Sequence, residues 1–187
     1  MKRVMLLVMT MILLQGQLFA AETVDQEKLQ VVKRDTALFS KILGEVLKHS
    51  FDNPFAISAD PHGSYLEGYG ISISFLLRIN RGSIRGIYGE TRYRKNTPGE
   101  VLSKQEKLAL VRKITSRTLV DYGGTIRGLN DKERISICAH VEDRNEWDSG
   151  KKMSVIVVSG TRDEIIEMSK ADLSDDDLLK QLKILEY

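Results

Sequence analysis

A run of alternating side chains in the middle of the chain restricts the choice of fold more than any other sequence feature. Its apolar positions are Ile71, Ile73, Phe75, Leu77 and Ile79. Serine or arginine occupies most of the positions between them, with Leu76 as an exception. Successive side chains of a strand point to opposite faces, so the run predicts an antiparallel strand with one face in a core and the other toward solvent.

Three further segments have the composition of strands. Residues 135–141 alternate between apolar and polar side chains, and Met153–Val158, which is apolar except for Ser154, is a further segment of strand length. Tyr65–Tyr69 is a short candidate that precedes the alternating run and is broken by glycines. We therefore predict a sheet of about four strands.

Helical signals lie on both sides of these strands. Residues 22–49 carry apolar side chains at helical spacing, which predicts a long amphipathic helix. Two capping boxes, each a Ser or Thr followed three residues later by Glu, predict the starts of further helices. The capping pairs are Ser103 with Glu106 and Thr161 with Glu164. Ser174 is expected to cap a last helix over Asp175–Lys183.

These elements predict an α+β fold in the order α-β-β-α-β-β-α-α. The expected architecture is an antiparallel sheet of about four strands with helices on one face, forming a single domain over residues 21–187. About 167 residues suffice for one core that buries roughly 70% of the unfolded surface. Cys138 is the only cysteine, so no intramolecular disulfide can support the fold.

Residues 1–20 have the layout of a secretory signal peptide. Lys2 and Arg3 precede the apolar run Val4–Leu14, and cleavage is expected after Ala20. Eleven residues are too few to span a bilayer as a helix, which takes about 20. An uncleaved anchor is the alternative. We expect a periplasmic or secreted protein without a transmembrane segment in the mature chain.

The charge balance argues against a nucleic-acid partner. The chain has 28 basic and 26 acidic residues, and removal of the signal peptide takes away Lys2 and Arg3. The mature chain therefore carries 26 residues of each sign and no net charge. Export also separates the chain from nucleic acid inside the cell.

One segment departs from this neutrality. Between Arg78 and Lys95 stand six cationic residues and one anionic residue, Glu90, with two tyrosines among them. Arginine forks suit phosphate and carboxylate groups, which points to an anionic component of the cell envelope as partner. A solvated hairpin tip is the structural alternative. The candidate contact residues are Arg81, Arg85, Tyr88, Arg92, Tyr93 and Arg94.

A second candidate is the polar face of the sheet. Cys138 and His140 lie two apart on one predicted strand and therefore on the same face, as a thiolate–imidazole site would require. The polar outer face of an ordinary antiparallel sheet gives the same pattern. The residues expected on this face are Ser72, Ser74, Ser136, Cys138, His140 and Ser154.

Metal and cofactor sites have little support. Asp60 and His62 lie two apart and could share an ion, but a zinc site needs three or four ligands and no others can be assembled. No phosphate-binding glycine motif follows Gly68 and Gly70. We therefore predict neither a metal nor an organic cofactor.

Three short motifs resemble segments of exported bacterial proteins of unassigned function. They are Tyr65–Gly70, Asp121–Leu129 and the C-terminal segment from Ala171 to Tyr187. The resemblance implies secretion and a shared domain, and it brings no activity, ligand or catalytic residue. The sequence thus predicts a non-enzymatic protein that acts by binding in the envelope or outside the cell. The alternative is a small hydrolase or transferase with a site near Cys138 and His140.

Overall fold

The computed structural model describes residues 26–51, 55–79, 102–143 and 152–187. Four helices and five strands lie within these ranges, and the α+β class is confirmed. No helix in these ranges is long and apolar enough to cross a membrane. The elements are α1 Gln26–Ser50, β1 Ala56–Leu66, β2 Gly70–Arg78, α2 Lys104–Gly123, β3 Arg134–Asp143, β4 Lys152–Thr161, α3 Arg162–Lys170, α4 Asp175–Gln181 and β5 Lys183–Glu186.

The strands form one mixed sheet in the order β1-β2-β3-β4-β5, which corrects the predicted antiparallel sheet of four strands. β2 and β3 are parallel, and the other neighbours are antiparallel. The parallel pair arises because α2 carries the chain from the end of β2 back to the end where β2 began. We call the paired strands β2 and β3 the parallel seam.

Two strands differ from the sequence prediction. β1 covers eleven residues, whereas the prediction placed a short strand at Tyr65–Tyr69. Pro61 and two shifts of register interrupt β1, so its side chains do not follow a simple alternation. β5 adds a four-residue strand after the last helix, which ends at Gln181 and not at Lys183.

The helices pack on one face of the sheet. Ile73, Ile137 and Val158 lie side by side on that face and are fully buried. α1 approaches it at Gly63, which pairs with Ile73. α2 and α3 approach it at Ile135 and Gly160, respectively, and an ion pair joins α4 to α2. We call the opposite side of the sheet the open face.

Candidate functional site

A groove of about 780 Å³ lies between α1 and the edge strand β1. Its volume falls within the range of pockets that hold small organic molecules, roughly 300–1,000 Å³. We call it the α1–β1 groove. Its lining residues are Lys33, Thr36, Ala37, Ser40, Lys41, Gly44, Glu45 and Lys48 from α1, and Asp60, Pro61, His62, Gly63 and Tyr65 from β1.

Small side chains on α1 shape this groove. Thr36, Ser40 and Gly44 repeat at four-residue spacing, which aligns them along one side of the helix. A β-carbon built at Gly63 would overlap the Thr36 methyl group, so helix and strand are in close contact there. A β-carbon built at Gly44 would lie 3.5 Å from Pro61 Cδ, an ordinary contact distance.

The outer edge of β1 is poorly suited to pairing with another strand. In the described part of the chain, β1 pairs with β2 alone. Pro61 lacks a backbone N–H, and the register shifts between Ile57 and Ala59 and again between Ala59 and His62. Proline and bulges are features by which edge strands avoid adding a further strand. The groove beside this edge is therefore better matched to a small molecule than to an extended peptide.

Two hydroxyl groups in the groove wall lack hydrogen-bond partners. Thr36 and Ser40 are only 4% and 8% exposed, and in the described part of the chain neither hydroxyl oxygen has a hydrogen-bond partner. On α2, the hydroxyls of Thr115 and Thr118 donate to the carbonyls four residues earlier, at 2.7 and 2.8 Å, whereas Ser116, outside the groove lining, is a third buried hydroxyl without a partner among the described residues. An unsatisfied buried polar group costs about 1–3 kcal/mol. The unpaired state at Thr36 and Ser40 is therefore a feature that calls for an explanation.

The rim of the groove carries unpaired positive charge. Lys48 Nζ donates a hydrogen bond to Glu45 Oε1 at 2.9 Å, so these two charges of the groove lining are paired with each other. Within the described residues, Lys33 and Lys41 have no carboxylate partner. Both lie on the groove side of α1, on either side of Thr36 and Ser40 along the helix. This stretch of the wall therefore presents hydrogen-bond donors.

Tyr65 closes one end of the groove as a neutral polar group. Its hydroxyl donates to Glu133 Oε1 at 2.9 Å. Burial and this hydrogen bond raise the pKa of Tyr65 to about 12, so the phenol stays protonated at physiological pH. Because its proton is committed to Glu133, the Tyr65 oxygen can only accept a hydrogen bond from a ligand.

Among the described residues, the strand neighbours of Cys138 and His140 supply no further group for the nucleophilic site predicted on the open face. Cys138 Sγ lies 3.6 Å from Ser72 Oγ, which is a hydroxyl and not a base. His140 is opposite Leu76 and Val155 on the neighbouring strands, and neither of these can orient an imidazole. Ser154, which was expected on this face, pairs with Val141 and lies on the helix-covered face. The sequence prediction assigned Ser154 to the wrong face because apolar and polar side chains do not alternate regularly along β4, which begins at Lys152.

The other sequence candidates have separate outcomes. Asp60 and His62 both line the α1–β1 groove, but the described ranges contain no group of three or more His, Cys, Asp or Glu side chains that could hold a metal ion. Of the basic segment Arg78–Lys95, only Arg78 and Ile79 are described, and Arg78 Nε donates to Glu142 Oε2 at 2.8 Å. The candidate contact residues Arg81, Arg85, Tyr88, Arg92, Tyr93 and Arg94 lie outside the described residues.

Comparisons of the chain with models of protein families, with curated proteins and with solved structures gave no match. The groove must accordingly be interpreted from its own residues. Sequence reasoning missed it, because its two walls are about twenty residues apart along the chain. The signal that could have indicated it is the series Thr36, Ser40 and Gly44, which places small side chains where a core-facing helix usually has large ones.

Proposed function

We propose that this protein is an exported binding protein and that its ligand is a small, largely apolar molecule held in the α1–β1 groove. The observation that carries the proposal is a groove of about 780 Å³ whose wall contains two buried hydroxyls without partners. A ligand that accepts hydrogen bonds from Thr36 and Ser40 would remove this cost. Ala37, Gly44 and Pro61 provide the apolar surface against which the rest of the ligand would pack.

Binding fits the groove better than catalysis. A hydroxyl nucleophile needs a base within hydrogen-bonding distance to take its proton. Among the described residues, neither the Ser40 hydroxyl nor the Thr36 hydroxyl has a hydrogen-bond partner. The imidazole that lines the groove, His62, has its Nδ1 3.2 Å from the Pro61 carbonyl oxygen. These contacts support a site that holds a molecule without transforming it.

The place of action follows from the first twenty residues, which lie outside the described ranges. Their basic start, apolar run and small residues at Ala20 and Ala21 support export to the periplasm or the medium. The basic segment Arg78–Lys95 remains a second proposed contact, with an anionic component of the envelope.

The proposal can be tested with N-phenyl-1-naphthylamine, a neutral apolar dye that fluoresces when it leaves water. We expect saturable fluorescence enhancement with the wild type. Ala37→Phe places a large ring in the groove at an exposed helix position and should weaken binding about tenfold or more. Gln30→Phe adds the same ring on α1 outside the groove lining and is the matched control. Equal binding by both variants would refute the groove as the site.

A further inference from the structure

We infer that the ligand of the α1–β1 groove is an organic anion whose acidic group binds to the stretch of α1 between Lys33 and Lys41. This inference rests on the proposed function and specifies the chemical class of the ligand. Four donor side chains on this stretch belong to one stripe of the helix. They are Lys33, Thr36, Ser40 and Lys41, at relative positions 0, 3, 7 and 8.

The spacing allows these donors to converge. Residues 33 to 41 span about 12 Å along a helix at 1.5 Å per residue. The two ammonium groups sit on flexible side chains of four carbons at the ends of this span, and the two hydroxyls lie between them. A carboxylate, sulfonate or phosphate placed above Thr36 and Ser40 is therefore within reach of both lysines.

The charge distribution selects an anion over a cation or a neutral molecule. An ammonium group only donates hydrogen bonds, and Lys33 and Lys41 have no carboxylate partner among the described residues. The two carboxylates of the lining, Glu45 and Asp60, are found toward the Gly44–Pro61 end of the groove. Glu45 is already bonded to Lys48.

The position of the hydroxyls indicates how they would reach the ligand. Ser40 Oγ lies 3.2 Å from the β-carbon position of Gly63, so it is at the interface with β1 and covered from water. Rotation about χ1 moves a serine hydroxyl between staggered positions without changing the backbone. Such a rotation would bring Ser40 Oγ toward the groove when an anion is present.

Two dyes of matched shape provide the test. 8-Anilino-1-naphthalenesulfonate has the aromatic body of N-phenyl-1-naphthylamine and carries an additional sulfonate. We expect the wild type to bind the sulfonate dye about tenfold more tightly at low ionic strength. The ratio of the affinity for the sulfonate dye to the affinity for the neutral dye should fall at about 0.15 M salt, where the screening length is roughly 8 Å.

Two double variants separate the contribution of the two hydroxyl groups to binding from that of the two ammonium groups. Thr36→Val with Ser40→Ala removes both hydroxyls at nearly constant shape and should weaken binding of the sulfonate dye about tenfold, with little effect on the neutral dye. The same variant should melt at a higher temperature, because two unsatisfied buried groups are gone.

Lys33→Gln with Lys41→Gln should abolish the salt dependence of sulfonate-dye binding. Lys170→Gln with Lys183→Gln, at exposed positions outside the groove, is the charge-matched control.

The outcomes distinguish the inference from the proposed function. Equal affinities for both dyes, with both blocked by Ala37→Phe, would overturn the anionic ligand and leave the groove as a binding site. Unchanged binding of the sulfonate dye by the hydroxyl variant would also overturn it, because Thr36 and Ser40 would then make no contact with the acidic group. If Ala37→Phe changed the binding of neither dye, both the anionic ligand and the groove as the binding site would be ruled out. Retained binding of the neutral dye shows that a variant is folded.

Discussion

Glu133 is a buried carboxylate that joins three distant parts of the chain. It accepts hydrogen bonds from the Tyr65 hydroxyl of β1 and from the Asn130 backbone at 2.7 Å, and Lys28 of α1 lies 3.7 Å away. Burial alone would raise the pKa of Glu133, but the hydrogen bonds from Asn130 and Tyr65 and the charge of Lys28 outweigh it and hold the pKa below its ordinary value. The ionised form therefore stabilises the fold.

This lowered pKa fixes the sign of a pH effect on stability. A carboxylate with a depressed pKa in the folded state contributes stability above its unfolded pKa and loses that contribution as the pH falls through the folded value. At pH 7 we expect Glu133→Gln to reduce the free energy of unfolding by about 1–3 kcal/mol. Urea denaturation should show this difference shrinking as the pH falls below 4.5, the ordinary value for glutamate.

The exposed Glu167→Gln is the control for this measurement and should change stability little at either pH. A Glu133→Gln effect that persisted undiminished at acidic pH would contradict an electrostatic role. The side chain would then stabilise by shape alone.

Two glycines, Gly70 and Gly128, allow segments that are far apart along the chain to come into close contact. Gly70 has φ +121, and a β-carbon there would overlap the Arg134 carbonyl oxygen across the parallel seam. A β-carbon at Gly128 would overlap the Val32 side chain of α1. Asp35 reinforces the same contact by accepting a hydrogen bond from the Arg127 backbone at 3.1 Å. These contacts join segments that are far apart along the chain, so the sequence alone did not predict them.

At the scale of single elements, local signals in the sequence were predictive. Both capping boxes are confirmed, with Glu106 N 3.3 Å from Ser103 Oγ and Glu164 N 3.3 Å from Thr161 Oγ. The amphipathic helix is confirmed over the described residues from Gln26. These signals depend on residues three or four positions apart, so a single stretch of sequence contains them in full.

Elements whose form depends on distant partners were not predicted. The irregular β1 is a strand because it pairs with β2, and β5 is a strand because its four residues pair with β4. The parallel pairing of β2 with β3 depends on the path of α2. The α1–β1 groove depends on how closely Gly63 lets the helix approach. None of these contacts produces a periodic pattern of side chains within a single segment of the sequence.

The basic segment Arg78–Lys95 supports a prediction of its own. If it binds anionic lipid, the wild type should sediment with anionic vesicles at low salt and less so at about 0.15 M salt. A variant with four arginines changed to glutamine should lose this binding and keep nearly the same thermal midpoint, because the sequence of the segment has no apolar period that would place these side chains in a core, and charges outside a core contribute little to stability. The four positions are Arg81, Arg85, Arg92 and Arg94.

A variant with Lys132, Lys170 and Lys183 changed to glutamine removes exposed positive charge elsewhere and should still sediment. Equal sedimentation of the wild type and the arginine variant would rule out this segment as the lipid contact. Soluble polyanions would then be the next partners to try.

At the scale of the whole molecule, export predicts a defined mature mass. Protein recovered from the producing cell should lack residues 1–20 or 1–21, because Ala20 and Ala21 are the small residues at the end of the apolar run. Intact-mass spectrometry measures this directly. Leu7→Arg interrupts the apolar run and should leave the full chain uncleaved. A wild-type mass that includes residues 1–20 would contradict cleavage and favour an anchor.

The parallel seam has a consequence for how the chain folds. Arg78 and Glu142, which pair across it, are 64 positions apart, whereas Leu66 and Gly70 pair within one tight hairpin. Closing a long loop costs more chain entropy than closing a short one, and non-local pairing is slow to form. Contacts within the unit of α1, β1 and β2 and within the hairpin of β3 and β4 should therefore form before the contacts across the seam. Docking of these two parts along the seam would set the overall folding rate, and until it occurs each part exposes a strand edge through which chains can aggregate.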